Sequence, residues 1–302
     1  MTIVATLRIG TRESRLALAQ ATLAAEAVRS AIGPTELVPL TTRGDALSVR
    51  QPRGRWIATD GQFTGELERA LLERRVDLVV HSYKDLPTAS VPGLTIAAVL
   101  ERADPRDCLI ARGGAGGLDD MPFGGRIGTS STRRAAQLAV ARADLIAVPI
   151  RGNVETRLRR LEDGEYDGLV LAAAGLDRLG IAVAARARLP LDMMLPAPAQ
   201  GALAIQARSD DEGLLAALKE IEHEPTRIGV EAERALLRRI GGGCLAPLGA
   251  LGQVTRNTLR LRAAYEDESG SHVRAEGSGP ADRPGTVVEA VAAQILQAGS
   301  AA

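Results

Sequence analysis

The fold class follows from the stretch Arg126-Ile127-Gly128-Thr129-Ser130-Ser131-Thr132-Arg133-Arg134, in which a short apolar strand runs directly into the start of a helix. The first backbone N–H groups of a helix have no partner inside the helix and attract anions. Hydroxyls and two guanidiniums fall at the same point, so the sequence predicts an anion site there. Its candidate residues are Thr129, Ser130, Ser131, Arg133 and Arg134.

The same succession of apolar strand and amphipathic helix recurs along the chain, which is typical of α/β layers with largely parallel sheets. We predict strands over 7–10, 36–41, 77–80, 94–99, 126–128, 145–150, 168–172 and 202–207, and helices over 14–32, 67–73, 231–239 and 285–297. The chain is expected to cross into a second unit near 102–106 and to return to the first with the strand over 202–207. The helix over 231–239 opens a third unit.

The composition is that of an ordinary protein of two or three domains, with 302 residues of which 45% are hydrophobic and 25% charged. The 37 basic residues balance the 37 acidic ones, which argues against a nucleic-acid or membrane partner. No apolar run approaches the roughly 20 residues that span a membrane, and the N-terminus is typical of a strand and not of a signal peptide. We therefore expect a cytoplasmic protein in which both cysteines are thiols or one of them is an attachment point. We predict no metal site.

Basic side chains recur where predicted strands end, which is where ligands bind in open α/β sheets. Arginine makes up 35 (37 − 2) of the basic residues, and genomic composition alone explains much of that bias. For any one arginine a solvated surface position is the simpler interpretation, but their repetition favours a site for several anionic groups. The candidates outside the first stretch are Arg12, Ser14, Lys84, Arg151, Arg157 and Arg178.

Asp85 is an acidic residue at one of these basic strand ends, in His81-Ser82-Tyr83-Lys84-Asp85. Two interpretations are open. It is either a turn residue ahead of Pro87, or a functional carboxylate that stabilises a cation developing on a substrate or passes protons. Lys84 is either an anion ligand or only the salt-bridge neighbour of Asp85.

The segment Gly241-Gly242-Gly243-Cys244 places a thiol on a glycine-rich loop directly after a charged helix. Consecutive glycines are kept where the backbone must take positive φ or where another group must approach it closely. Such a thiol is open to covalent modification, although a helix C-cap followed by a loop cysteine of no consequence is the alternative. Cys108 lies in an apolar strand-like run, so we expect it to be a small buried core residue.

In combination, these motifs resemble those of the hydroxymethylbilane synthases, also called porphobilinogen deaminases, along nearly the whole chain. The matching motifs are Arg8-Ile9-Gly10-Thr11-Arg12 with Ser14, Thr42-Arg43-Gly44-Asp45, His81 to Asp85, Asp104-Pro105-Arg106-Asp107, Gly128 to Arg134, Arg151-Gly152-Asn153, Gln200-Gly201-Ala202 and Gly242-Gly243-Cys244. So many motifs in order are far more specific than a lone glycine-rich loop. The resemblance implies an α/β protein with two periplasmic-binding-protein-like (type II) domains joined by a hinge, over 1–101 with 200–220 and over 102–199, and a smaller α+β C-terminal domain over 221–302.

The resemblance also implies the chemistry. Four porphobilinogen molecules are joined head to tail on a covalently bound dipyrromethane, and hydrolysis releases a linear tetrapyrrole. The implied attachment point is a thioether on Cys244, and Asp85 matches the catalytic aspartate. Each porphobilinogen carries an acetate and a propionate, so the basic and hydroxyl candidates above are implied to bind carboxylates in a monomeric enzyme.

One departure concerns the mobile loop, in which Phe63 is implied to act as a gate. Many relatives carry lysine next to glycine before this phenylalanine, whereas this chain has Asp60-Gly61-Gln62-Phe63. A carboxylate cannot bind substrate carboxylates as lysine does, although Arg53 or Arg55 is in reach along the sequence to substitute.

Two other classes of protein are weighed against this resemblance. A solute-binding protein would share the cleft but would not need the cysteine loop. A cysteine hydrolase would need a base near the thiol, and none of the three histidines stands in a recognisable setting for that role.

Overall fold

The computed structural model describes residues 6–41, 64–113, 117–182, 186–241 and 246–300. The predicted gate Phe63, the loop before it, the motif Thr42-Arg43-Gly44-Asp45 and the predicted attachment residue Cys244 lie outside the described residues.

Strands and helices alternate along the chain as predicted. The first part contains β1 (Leu7–Arg12), α1 (Arg15–Ala31), β2 (Thr35–Leu40), α2 (Gly65–Leu72), β3 (Leu78–Ser82) and β4 (Leu94–Val99). The middle part contains β5 (Asp107–Ala111), β6 (Arg126–Gly128), α3 (Thr132–Ala141), β7 (Ile146–Val148), α4 (Val154–Glu162), β8 (Gly168–Ala172), α5 (Ala173–Arg178) and β9 (Arg186–Arg188). The last part contains β10 (Leu203–Arg208), α6 (Glu212–Leu218), α7 (Glu224–Arg239), β11 (Leu248–Thr255), β12 (Thr258–Glu266), β13 (His272–Pro280) and α8 (Pro284–Ser300).

The first two sheets share one topology. Their strand orders are β2-β1-β3-β10-β4 and β7-β6-β8-β5-β9. In each sheet the first three of these strands are parallel. The fourth runs antiparallel to both its neighbours. That antiparallel strand is the first one that the chain forms after it crosses from one sheet to the other. It is β5 when the chain enters the second sheet and β10 when the chain returns to the first, so both predicted crossovers are confirmed.

The predicted fold class is confirmed by this arrangement, with two type II periplasmic-binding-protein-like α/β domains and a C-terminal α+β domain. The third sheet, β11-β12-β13, is antiparallel. Helices α7 and α8 pack on it around a core that includes Leu236, Leu261 and Val291. The domain limits 1–101 with 200–220, 102–199 and 221–302 stay a prediction.

Helix α1 has both a capping residue and a periodic apolar face, the two sequence features from which a helix can be predicted. Ser14 caps its first turn, because the Ser14 Oγ accepts a hydrogen bond from Ala17 N at 3.3 Å. Ala21, Ala24 and Val28 fall on one face and are buried in the core of the first domain.

Helix α7 begins seven residues earlier than the predicted start at 231. The His223 side chain caps it by accepting from Thr226 N, and a proline occupies its first turn. Histidine is not among the preferred N-cap residues, so the first-turn proline was the one conventional start signal here.

Cys108 is fully buried in β5 and belongs to a core cluster of the second domain, as predicted. Within the described ranges, no helix has both the length and the apolar composition that crossing a membrane takes.

Candidate functional site

The loops at the carboxyl ends of the first two sheets face one another, and the predicted cations come together there. Strand β3 leads into a single 3-10 turn, Tyr83–Asp85, and strand β6 leads into helix α3. Gln200 links the two sides, because its Oε1 accepts from Lys84 Nζ at 3.3 Å while its Nε2 donates to Asp107 at 2.9 Å. The basic residue predicted after β3 and the anion site predicted after β6 therefore lie next to each other.

Asp107, the first residue of β5, organises what we call the Asp107 cluster, which consists of Asp107, Arg133, Arg134 and Gln200. The carboxylate accepts from Arg133 Nη1 at 2.8 Å and from Arg134 Nη2 at 2.6 Å. Burial on its own raises the pKa of this carboxyl, but the two guanidiniums outweigh burial and hold the pKa well below its usual range. The cluster fixes two cations at the start of α3 without a substrate.

Arg133 and Arg134 are therefore placed differently from a simple ligand-binding pair. The Arg133 Nη1 also donates to Leu195 O at 2.7 Å, and only 3% of the residue is exposed. The Arg134 Nη1 donates to Val170 O at 2.8 Å. In this conformation the geometry does not favour direct carboxylate binding by Arg133, and that predicted role stays a prediction. The geometry favours instead a role for both arginines in setting the charge of the site.

Lys84 stands between the Asp107 cluster and Asp85. Its side chain is half-buried, and burial lowers the pKa of Lys84 to about 8. The guanidiniums of Arg134 and Arg133 lower this pKa further, while Asp85 and Asp107 raise it. The ammonium is thus surrounded by charges of both signs and releases its proton far more readily than an ordinary lysine.

Asp85 ends the turn after β3 with its side chain exposed. Arg157, in the second turn of α4, interacts electrostatically with Asp85 and with Arg134. Burial lowers the pKa of Arg157 to about 10, with Arg134 lowering it further and Asp85 opposing, so the guanidinium stays charged at neutral pH. The predicted carboxylate and the predicted cations are brought together from both domains.

The predicted hydroxyl residues serve mainly the scaffold. Ser14 and Ser131 are the N-caps of α1 and α3. The Ser130 Oγ donates to Ile150 O and accepts from Ile150 N, which uses its single donor. Thr129 is fully buried, and its Oγ1 accepts from Ser131 N at 3.2 Å. Carboxylate binding by these four side chains stays a prediction, and for Ser130 it requires a change of partner.

The other predicted arginines are half-buried, Arg12 and Arg151 at or just after strand ends and Arg178 at the end of helix α5. Arg12 is the last residue of β1, and Arg151 follows the strand β7 within the next loop. The Arg178 Nη2 donates to Gly201 O at 2.6 Å, in the segment by which the chain returns to the first domain. Burial lowers the pKa of Arg178 to about 10.

Two groups that sequence analysis did not select connect the site to the third domain. Glu233 of α7 is fully buried and accepts from Arg102 Nη1 at 2.5 Å and from Ala199 N at 2.6 Å, so it contacts both crossover segments. Arg234, the next residue, contacts the turn that carries Asp85. The available signal was that the adjacent charges Glu233 and Arg234 stand between the apolar positions Val230 and Leu237 of an amphipathic helix.

The fold and the site define a class of protein, an α/β protein with a two-domain cleft whose cations and one exposed carboxylate act on a small anionic molecule. Comparison with known sequences gives the particular family. Residues 7–216 match the model of the porphobilinogen deaminase, dipyrromethane cofactor binding domain, and residues 228–297 match that of the porphobilinogen deaminase C-terminal domain.

Full-length relatives agree with the two domain models. The chain is 47% identical over 293 residues to the porphobilinogen deaminase of Desulforudis audaxviator, covering 97% of this chain and 94% of that one. It is 45% identical over 299 residues to that of a Roseiflexus species, covering 98% of each chain. A solved probable amino-acid transporter extracellular-binding protein from Bacillus subtilis is 13% identical, with a TM-score of 0.40 over 72% of this chain and 92% of that chain.

The chain belongs to the porphobilinogen deaminase family. Its activity is that of a transferase, the stepwise deaminating condensation of four porphobilinogen molecules onto a covalently bound dipyrromethane, followed by hydrolytic release of hydroxymethylbilane. The resemblance that was read from the motifs is confirmed.

Proposed function

We propose that Asp85 carries the condensation chemistry of this transferase and that Cys244 holds its dipyrromethane. The observation that carries the first assignment is that Lys84 of the first domain and Arg157 of the second both interact electrostatically with the exposed Asp85, while Arg134 interacts with Lys84 and Arg157. A substrate with two carboxylates needs several cations, and a reaction that develops positive charge needs one nearby carboxylate.

The described residues suit a dipyrromethane with its acetate and propionate groups. Guanidiniums provide paired donors that match carboxylate oxygens, and Arg12, Arg151, Arg157 and Arg178 lie around the strand ends. When bound, the cofactor supplies the pyrrole carbon that attacks the activated substrate. Cys244 follows three consecutive glycines in the sequence, which carry no side chain that could obstruct a bulky thioether-linked group.

Asp85 acts on the substrate in this proposal. Loss of ammonia from porphobilinogen leaves a methylene-pyrrole in which positive charge spreads to the ring nitrogen. The Asp85 carboxylate stabilises that charge, and the surrounding cations hold the substrate carboxylates away from it. Electrostatic stabilisation by a preorganised charge is commonly the largest single contribution to a rate enhancement.

The remaining assignments rest on composition and on the sheets. We propose that the enzyme has no nucleic-acid or membrane partner, because its charges balance. We also propose that it acts as a cytoplasmic monomer, as the family resemblance implies. The domain limits given above follow the two crossovers, with α7 opening the third domain.

Arg157→Leu tests carboxylate binding, and Arg159→Leu is its matched control, because Arg159 lies on the same helix and is exposed. Arg157→Leu is expected to stall elongation, since it removes a charged partner without touching the reacting atoms. The ladder of enzyme-bound intermediates, measured by mass, should accumulate at an early step in Arg157→Leu only. Identical ladders in the two variants would remove Arg157 from the binding site.

Lys84 gives a pH-dependent prediction. A lysine is a cation below its pKa, so a Lys84 with a pKa of about 8 loses its charge as the pH rises through 8. If that charge binds a substrate carboxylate, kcat/KM falls above pH 8, by about tenfold per pH unit. Lys84→Arg keeps the cation and is expected to remove this alkaline decrease. A decrease with the same midpoint in both proteins would show that another group causes it.

A further inference from the structure

Helix α7 of the third domain holds the turn that carries Asp85. The Arg234 Nη1 donates to Leu86 O at 2.9 Å and to Tyr83 O at 3.3 Å, and its Nη2 donates to Pro87 O at 2.7 Å. One planar guanidinium therefore binds the backbone on both sides of Asp85. Only 6% of Arg234 is exposed, so solvent competes little for these bonds.

The Tyr83 side chain adds a second attachment to the same helix. The Arg234 guanidinium carbon lies 4.5 Å from the centroid of the Tyr83 ring, within cation–π distance. The Tyr83 hydroxyl donates to the Glu231 carboxylate, one turn earlier on α7. Burial and the neighbouring Glu231 raise the pKa of Tyr83, so the hydroxyl keeps the proton that it donates.

The Asp85 side chain itself is exposed, so its direction is set chiefly by the backbone that carries it. The turn has one internal backbone hydrogen bond, from Leu86 N to Tyr83 O, and at 3.3 Å it is long. Such a bond alone leaves a single 3-10 turn weakly fixed. Three carbonyls bound by a rigid guanidinium restrict this turn much more strongly.

The same helix leads directly to the cofactor loop. Helix α7 ends at Arg239, and Cys244 follows Arg234 by ten residues (244 − 234). The helix that holds the turn of Asp85 is thus also the last helix before Cys244 in the sequence.

We propose that Arg234 is a positioning residue for the condensation, which fixes the Asp85 carboxylate relative to the reacting pyrrole by holding the carbonyls of Tyr83, Leu86 and Pro87. This proposal rests on the proposed role of Asp85. It predicts a specific loss, because displacing a catalytic group by about 1 Å can cost on the order of a hundredfold in rate.

A double-mutant cycle tests the proposal with four proteins, wild type, Arg234→Gln, Asp85→Asn and the combination of both. Single-turnover rates are measured on full-length enzyme, corrected for cofactor loading by intact mass. Arg234→Gln is expected to lower the rate by about 10- to 100-fold in the wild-type background. In the Asp85→Asn background the same change is expected to cost less than about threefold, since there is no longer a carboxylate to position.

Two further variants separate positioning from general damage. Arg238→Gln is the matched control, because Arg238 is an exposed arginine one turn further along α7, and it should retain the wild-type rate. Arg234→Lys keeps the charge with fewer aligned donors and should recover part of the rate. If Arg234→Gln does not fold, the cycle is run with Arg234→Lys.

The outcomes are distinct. An equal fold loss in both backgrounds would overturn the positioning role and leave Arg234 a structural residue. An Asp85→Asn variant that turns over at nearly the wild-type rate would instead overturn the assignment of Asp85, and the inference with it. A large loss that disappears when Asp85 is replaced supports both.

Discussion

Asp85→Asn is expected to lower the single-turnover rate of porphobilinogen condensation by about a hundred- to a thousand-fold, which corresponds to on the order of 3 to 4 kcal/mol of transition-state stabilisation. The change is nearly isosteric but removes the negative charge beside the developing cation. Because the basic side chains that bind carboxylates are unchanged, a cofactor that is supplied preassembled should still be bound. Rates and intermediates are followed by rapid quench and mass measurement.

Asp192→Asn is a suitable control for Asp85→Asn, since the Asp192 side chain is 96% exposed and its contact is with Arg262 in the third domain. It should turn over like the wild type. A near-normal rate for Asp85→Asn together with an inactive Arg157→Leu would mean that Asp85 is a turn residue, and the catalytic assignment would fail.

Cys244→Ser is expected to abolish turnover. A thiol with an ordinary pKa near 8.5 provides a usable fraction of thiolate at neutral pH, whereas a serine hydroxyl does not ionise in this range and is a poor nucleophile without an adjacent base. The variant should fold but carry no adduct. Turnover and adduct mass are measured on the same sample.

Cys108→Ser is the matched control for Cys244→Ser. Cys108 is fully buried in β5, so the new hydroxyl costs roughly 1 to 3 kcal/mol of folding free energy unless it finds a partner. Activity per folded molecule should remain largely intact. Equal losses of activity in the two serine variants would contradict the separate roles given to the two thiols.

Periodic and well-flanked segments of this fold could be predicted from the sequence. The strands β4, β6 and β8 have the predicted bounds; β4 and β8 are short and mainly apolar. The start of α7 was missed because histidine rarely caps a helix. The return to the first domain could be recognised from the strand over 202–207. No helix links this strand to a neighbouring strand, so it could not belong to a parallel strand–helix–strand unit of the second domain.

The site was predictable only in part, because sequence patterns locate side chains along one chain and not their distant partners. The rule that ligands gather at strand ends brought Lys84, Asp85 and Arg157 together correctly. It could not show that Asp107 binds Arg133 and Gln200, which are 26 and 93 residues away. For the same reason Arg234, 148 residues from Leu86, had no signal that linked it to the turn of Asp85.

The intact mass of the denatured, active protein reports whether a dipyrromethane is covalently attached. We expect an adduct with the mass of two deaminated porphobilinogen units on each chain. Reducing agents should not remove it, because a thioether is not a disulfide, and peptide mapping should place it on Cys244. Active protein with an unmodified Cys244 would contradict the account, and an adduct on Cys108 would show that the wrong thiol was assigned.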